Sequence, residues 1–321
     1  ALLCLNETTA AETWNHIGLF STFSIANGCA YLGEASYGSK FTLGGLFSCI
    51  NASIGNPIWN YSAGTSFTSP LANEDMVYAA GFSYSLSTNV NAGFIYAFNA
   101  STGQRLWNFQ CPTDTRFNHK SLSLEGTYLY GMSTAYSRQD ASWHGAIYAL
   151  DAESGKLLWN YTTPGQFGSF LTDGRNVYVS SNSVDTRNNL DAQNSGGSVY
   201  EGGIASLDGV SGKLLWNYPI DGSVGQPVAV DDTLYVASGN GVLYSFNASN
   251  GKTLWSYTAG TGLGLIQVVD SYLYVGSSTG VLCLNRFNGA VIWNFAASDF
   301  TGSSPCYPTY ADGIVYVGAN G

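Results

Sequence analysis

Charge is what this sequence has least of. Charged residues make up 10% of its 321 positions, with 11 Lys+Arg against 21 Asp+Glu and a net charge of −10. Soluble domains usually carry about 25%. Without clustered Lys and Arg there is nothing to displace counterions from phosphates, which excludes nucleic acid and disfavours an anionic membrane surface. No apolar run approaches the roughly 18 residues of a membrane-spanning helix, so no membrane span is expected. The six cysteines show no C-x-x-C or His-linked spacing, so no zinc or haem site, and no metal site of any kind, is expected. The sequence opens on Ala1 with no Met, basic segment or apolar leader, which reads as a mature or trimmed chain. Hydrophobic residues nonetheless reach 45%, which excludes a disordered chain.

What is present is a repeat. Its clearest copies are Gly93–Trp107 (GFIYAFNASTGQRLW), Gly145–Trp159 (GAIYALDAESGKLLW) and Gly241–Trp255 (GVLYSFNASNGKTLW). Looser copies end at Trp59, Trp216 and Trp293, and a seventh at Trp14 has Ala10 where the others place Gly. In six copies a glycine precedes the tryptophan by four residues: Gly55, Gly103, Gly155, Gly212, Gly251 and Gly289. Seven of the eight tryptophans are therefore in register, and Trp143 alone is not. Each copy reads as a β-hairpin: an alternating strand, an Asn/Asp-x-x-x-Gly turn closed by the side-chain cap and the glycine, then a strand carrying the Trp. Two further short strands precede most copies, as in Gln226–Val230 and Thr233–Ala237.

Four strands every 38 to 57 residues, counted from Trp to Trp, are the pattern of a β-propeller. The expectation is an all-β chain, a single seven-bladed domain over 1–321 with strands A to D in each blade and Trp on the outermost. The N-terminal C and D strands (Ala1–Trp14) and the C-terminal A and B strands (Pro308–Gly318) would complete one blade and close the ring, which removes free edges. The open alternative lets those strands complete a neighbouring molecule's blade and build a polymer.

The motif G-x-[LI]-Y-A-[LF]-[ND]-A-x-x-G-[KQ]-x-x-W, whole in Gly93–Trp107 and Gly145–Trp159, resembles the tryptophan-docking repeat of the PQQ-like (quinoprotein) β-propellers. That resemblance spans essentially the whole chain. It implies that Trp14, Trp59, Trp107, Trp159, Trp216, Trp255 and Trp293 each pack on the neighbouring blade near its glycine turn. The family includes PQQ-dependent alcohol and glucose dehydrogenases, a bacterial outer-membrane assembly scaffold and many secreted proteins. Catalytic members of the family that this chain resembles look different from it, with eight blades, long insertions, an adjacent Cys-Cys pair over the quinone and a calcium held by carboxylates and Asn. This sequence has no adjacent cysteines and seven repeats, so no catalytic residue carries over and no cofactor is expected; PQQ and Ca enter only under a dehydrogenase alternative.

Cys4, Cys49 and Cys283 occupy one slot late in strand C of three blades, too far apart for bridges among themselves. Cys29, at the start of strand B beside the strand that holds Cys49, makes Cys29–Cys49 the disulfide candidate; buried small side chains are the plainer reading. N-x-S/T sequons occur at Asn6, Asn51, Asn60, Asn99, Asn160 and Asn247, although chance alone supplies about five. Asn6, Asn51, Asn99 and Asn247 begin turns, while Asn60 and Asn160 follow the Trp on the outer strand.

Long B–C loops are expected in three consecutive blades, at Phe82–Ala92, Thr134–His144 and Ser181–Glu201, with the D–A loop Cys111–Lys120 beside them. They gather Arg116, His119, Lys120, Arg138, Asp140, Trp143, His144, Asp185, Arg187, Asp191 and Glu201. Variable loops on a rigid scaffold are where binding residues concentrate, so these are the binding-face candidates, with Trp143 and His144 offering stacking and hydrogen bonding to a glycan or partner protein. The same residues also read as solvated loops. His119 with His144 lacks a third metal ligand, and Asp140 with His144 lacks a nucleophile. The functional expectation is a secreted or cell-surface, non-catalytic scaffold. A PQQ-dependent dehydrogenase and a self-assembling filament or lattice subunit are the alternatives.

Overall fold

A computed structural model describes residues 2–17, 20–37, 43–62, 66–85, 90–113, 115–137, 142–182, 201–259, 262–296 and 306–318. The chain divides into two compact units, Ala1–Thr163 and Pro164–Gly321. In the first, β1 (Leu2–Leu5) pairs with β2 (Glu12–His16). A four-stranded meander follows: β3 (Phe20–Ala26), β4 (Cys29–Tyr37), β5 (Leu43–Asn51) and β6 (Pro57–Ser62). The next is β7 (Ser66–Ala72), β8 (Met76–Ser85), β9 (Val90–Asn99) and β10 (Arg105–Thr113). The last of this unit is β11 (Thr115–Glu125), β12 (Tyr128–Ser137), β13 (Ser142–Asp151) and β14 (Leu157–Pro164).

The second unit repeats the plan. Its sheets are β15 (Gln166–Thr172), β16 (Asn176–Asn182), β17 (Glu201–Asp208) and β18 (Leu214–Asp221), then β19 (Val228–Val230), β20 (Thr233–Ala237), β21 (Val242–Asn247) and β22 (Thr253–Thr258). After them come β23 (Leu263–Val269), β24 (Tyr272–Ser277), β25 (Gly280–Asn285) and β26 (Val291–Ala296), and the pair β27 (Tyr307–Ala311) with β28 (Ile314–Gly318). Strand neighbours among the described residues pair antiparallel, so each full sequence repeat is one meander.

The turn between the third and fourth strands shows how the motif works. In 99–104 the Asn99 Oδ1 accepts from the N–H groups of Ser101 (3.1 Å) and Thr102 (2.9 Å), and Gly103 N–H returns to Asn99 O at 2.9 Å. Gly103 sits at φ +70, as its equivalents Gly55, Gly155, Gly212, Gly251 and Gly289 do near +70. Ala10 fills the slot at φ 54 in the first copy, so the turn survives without glycine. The residue after each cap is a junction. Ala100 N–H donates to Asp75 O in its own sheet at 2.9 Å, and its carbonyl accepts the indole N–H of Trp59 from the preceding sheet at 2.8 Å. The same two bonds recur at Ala52 with Trp14, Ala152 with Trp107, Ala248 with Trp216 and Arg286 with Trp255.

Each of those indoles covers the neighbouring turn so closely that a Cβ on Gly103 would lie 2.5 Å from Trp59 Cδ2. Directly across the ladder from six of the repeat tryptophans stands a small residue: Cys4 for Trp14, Cys49 for Trp59, Ala97 for Trp107, Ser206 for Trp216, Ser245 for Trp255 and Cys283 for Trp293. The three cysteines of the shared slot are thus read as side chains small enough to leave room for an indole. Ser206 and Ser245 fill the slot with buried hydroxyls that have no hydrogen-bond partner among the described residues.

Between successive sheets of one unit lies an apolar layer. Phe47, Phe67, Phe98 and Tyr96 fill it between the second and third sheets, and Ile95, Phe117, Leu129 and Leu150 between the third and fourth. Tyr178, Ile204 and Phe246, then Leu243, Val275 and Leu282, do so in the second unit. Burying one such aromatic or aliphatic side chain stabilises by about 1.5–3 kcal/mol, so packing between sheets, and not any single sheet, holds the fold. Trp293 on β26 is 39% exposed, with Ile292 and Phe295 beside it also exposed.

Candidate functional site

Two of the expected loops are mostly strand. β8 and β9 run through Ser85 and from Val90, and β12 and β13 run through Ser137 and from Ser142, so the stretches Phe82–Ala92 and Thr134–His144 are ladder except at 86–89 and 138–141. Cys111–Lys120 is likewise β10 and β11 apart from residue 114. The ladder needs only backbone groups, and Ser, Thr, Asn and Tyr complete it as well as Val does. The loss of apolar alternation made these strand ends look like loops.

The longer strands build one end of the β11–β14 sheet. Thr115, Ala135 and His144 form one cross-strand row, and Arg116, Thr134 and Gly145 the next. Beyond them Tyr136 stands opposite Trp143, and the two rings meet edge to face with centroids 5.2 Å apart at 63°. Aromatic pairs across a ladder stabilise by about 0.5–1.5 kcal/mol beyond their area, so the pair is a fixed platform. Trp143 keeps 37% of its surface exposed. On the opposite face of β13, half-buried His144 Nε2 lies 2.8 Å from Ser142 Oγ, which orients the imidazole. The arrangement offers a stacking surface on one side of the strand and a polar pair on the other. Tyr136 was missed by sequence reading; the register opposite Trp143 is its only signal.

The other candidates are dispersed. His119 and Lys120 lie at the irregularity of β11 between Phe117 and Leu122. Glu201 opens β17, opposite Asp221, in the second unit. Arg138, Asp140, Asp185, Arg187 and Asp191 lie outside the described residues. Among the described residues no three His, Cys, Asp or Glu side chains gather as a metal would require. The adjacent cysteine pair of the catalytic quinoproteins is absent from the sequence.

The bridge expected between Cys29 and Cys49 is not formed; all six cysteines are free thiols. Cys29 stands opposite Asn51 and Cys49 opposite Tyr31, so the two share a face but sit one rung apart. Their thiols nonetheless lie within hydrogen-bonding reach of each other, and they are left unbonded. Burial pushes the Cys49 thiol and the Tyr31 phenol well above their ordinary values, with Cys29 beside both. Burial likewise pushes the Cys111 thiol up to about 12, against a hydrogen bond with Tyr148 that lowers it. An ion pair that the sequence did not announce joins Arg286 to Asp231 at 2.6 Å, the guanidinium buried at a slot where five of the other repeats have Ala or Gly and the first has Glu7.

Two curated relatives match parts of the chain. Tetrathionate hydrolase of Acidithiobacillus ferrooxidans is 30% identical over 189 residues, 54% of this chain and 38% of its own length. Polyvinylalcohol dehydrogenase of a Pseudomonas species is 31% identical over 130 residues, 39% of this chain and 20% of its own length. The chain thus spans well under half the length of either. Among solved structures, BamB from Moraxella catarrhalis superposes with a TM-score of 0.59 at 18% identity, covering 88% of this chain and 74% of that one. No helix among the described residues is long and apolar enough to cross a membrane. The four-stranded meanders, the glycine turns under tryptophan and a family match over residues 2–200 and 195–268 agree: the chain belongs to the PQQ-type β-propeller family described as outer membrane protein assembly factor BamB.

Proposed function

We propose that this protein is a non-catalytic, cell-surface or secreted scaffold that binds a protein or glycan partner at the Trp143 end of the β11–β14 sheet. The observation that carries the reading is the Tyr136–Trp143 pair, a third-exposed indole held rigid by a cross-strand ring. Preorganised aromatic platforms bind with little loss of side-chain freedom. The family's description as an assembly factor supports a protein partner. The seven-bladed closed ring implied by the tryptophan spacing is part of the same proposal, and class averages in electron microscopy showing an open arc would remove it. Chemical cross-linking of surface material, followed by mass spectrometry, is the test of the partner site. Cross-links should concentrate on 115–145 and weaken at least tenfold in Trp143→Ala; an unchanged cross-link map refutes the site.

The dehydrogenase relative supports a second reading, an oxidoreductase using a bound quinone. Incubation with PQQ and Ca²⁺, followed by dye reduction with alcohols, decides between them, because a scaffold reduces no dye. Electron microscopy of native material does the same for a filament or lattice subunit, which monodisperse 34 kDa particles would contradict.

A further inference from the structure

The six Asn-x-Ser/Thr tripeptides fall into two structural kinds. At Asn6, Asn51, Asn99 and Asn247 the carboxamide oxygen already accepts the N–H groups two and three residues on: Thr8 and Thr9, Ser53 and Ile54, Ser101 and Thr102, Ser249 and Asn250, at 2.9–3.2 Å. The residue that supplies the tripeptide's hydroxyl is itself bound into that turn. A transferase that must take carboxamide and hydroxyl together would have to open it.

Asn60 and Asn160 are different. Both lie on the outermost strand of their sheets, β6 and β14, and alternate with inward-facing rings. In β6, Trp59 and Tyr61 face inward, and Tyr61 is fixed edge to face on Phe98 at 4.8 Å and by Arg105 at 2.9 Å. Asn60 and Ser62 therefore stand together on the exposed face of a strand that cannot turn over, as do Asn160 and Thr162 on β14. Extended backbone puts residues i and i+2 on one side, so each edge presents amide and hydroxyl as a pair with nothing to unfold.

We propose that Asn60 and Asn160 carry N-linked glycans and that Asn6, Asn51, Asn99 and Asn247 do not. In the transfer, Asn Nδ2 bonds to the anomeric carbon of a lipid-linked glycosyl phosphate. The anomeric C–O bond breaks, its electron pair leaves on the phosphate, and the displaced Nδ2 proton passes to a base on the transferase. Bulky, hydrated sugars on these two edges cover exposed backbone that would otherwise pair with another chain. The inference rests on the surface location proposed above.

The same slot supplies an internal control. Asn108 follows Trp107 on the outer strand β10 and is exposed, but Gln110 stands where the hydroxyl residue would be. Glycopeptide mapping of protein purified from its native host should find sugar on the peptides containing Asn60 and Asn160 and on no others. Ser62→Ala and Thr162→Ala should each remove one glycan mass, and Gln110→Ser should add one at Asn108. A bare Asn60 or Asn160, a glycan on any turn asparagine, or an unchanged mass for Gln110→Ser overturns the proposal. Fractionation of the same cells separates the two failures: unmodified protein at the surface sinks this inference alone, and protein in the cell interior sinks the location as well.

Discussion

Gly103→Ala confronts the repeat at its tightest point. At φ +70 an L-residue costs about 1–2 kcal/mol, and Ala10 shows that the turn tolerates that backbone. The larger effect is steric. The new methyl would sit 2.5 Å from Trp59 Cδ2 and 2.7 Å from its Cε3 and Cγ, where carbon contacts are comfortable only at roughly 3.5–4.0 Å. The indole must move by about 1 Å, which its 2.8 Å bond to Ala100 O and its packing against Phe47 and Tyr31 resist. Overpacking of this kind costs about 1–3 kcal/mol, and a strained or lost hydrogen bond about 1 kcal/mol more. Gly103→Ala is therefore expected to destabilise by about 3–6 kcal/mol in urea unfolding followed by far-ultraviolet circular dichroism. In a Trp59→Ala background the steric part has no partner, and the same change should cost only the backbone share, about 1–2 kcal/mol. The coupling between the two sites should reach about 2–4 kcal/mol. Equal costs in both backgrounds, within about 0.5 kcal/mol, would refute the claim that the glycine is there for the tryptophan.

Four other outcomes are expected. Ser245→Ala removes an unpartnered buried hydroxyl opposite Trp255 and should stabilise by about 1 kcal/mol, and Cys283→Ala should be tolerated, whereas Cys283→Leu should cost more than about 3 kcal/mol; a tolerated leucine in thermal melts rejects the small-residue slot. Hydrogen bonds from Ser154 and Ser211 hold the carboxyls of Asp151 and Asp208 below their ordinary value of 3.8, so the folded pKa is depressed. The stability they contribute is present above pH 3.8 and is lost as pH falls towards the folded value; Asp151→Asn with Asp208→Asn should keep the caps and flatten that acid limb in unfolding curves from pH 5 to 2. Native iodoacetamide treatment at pH 8 should leave Cys111 unlabelled, since burial pushes its thiol up to about 12, and rapid labelling would show the site to be open.

The repeat itself was legible because its chemistry is local. An Asn cap, a left-handed glycine and an alternating strand act within about ten residues, and the meander they predict is the one found in both units. Strand length near Trp143 was not legible, since β12 and β13 extend through Ser, Thr and Tyr on backbone pairing alone. The candidate site was legible only as a crowd. Sequence collected eleven residues, and the structure brings Arg116, Trp143 and His144 to one sheet end while sending Glu201 to the other unit.

By itself, the sequence determined the strand order, the turn chemistry and which residues alternate inward, because period and turn type are properties of neighbours along the chain. Tertiary structure alone decided what each tryptophan meets, why its cross-strand partner is small and that Cys29 and Cys49 sit a rung apart. It also decided that Asn60 stands free while Asn99 is tied into its turn. Those facts depend on distances between residues tens of positions apart, which register and sheet packing set and composition does not.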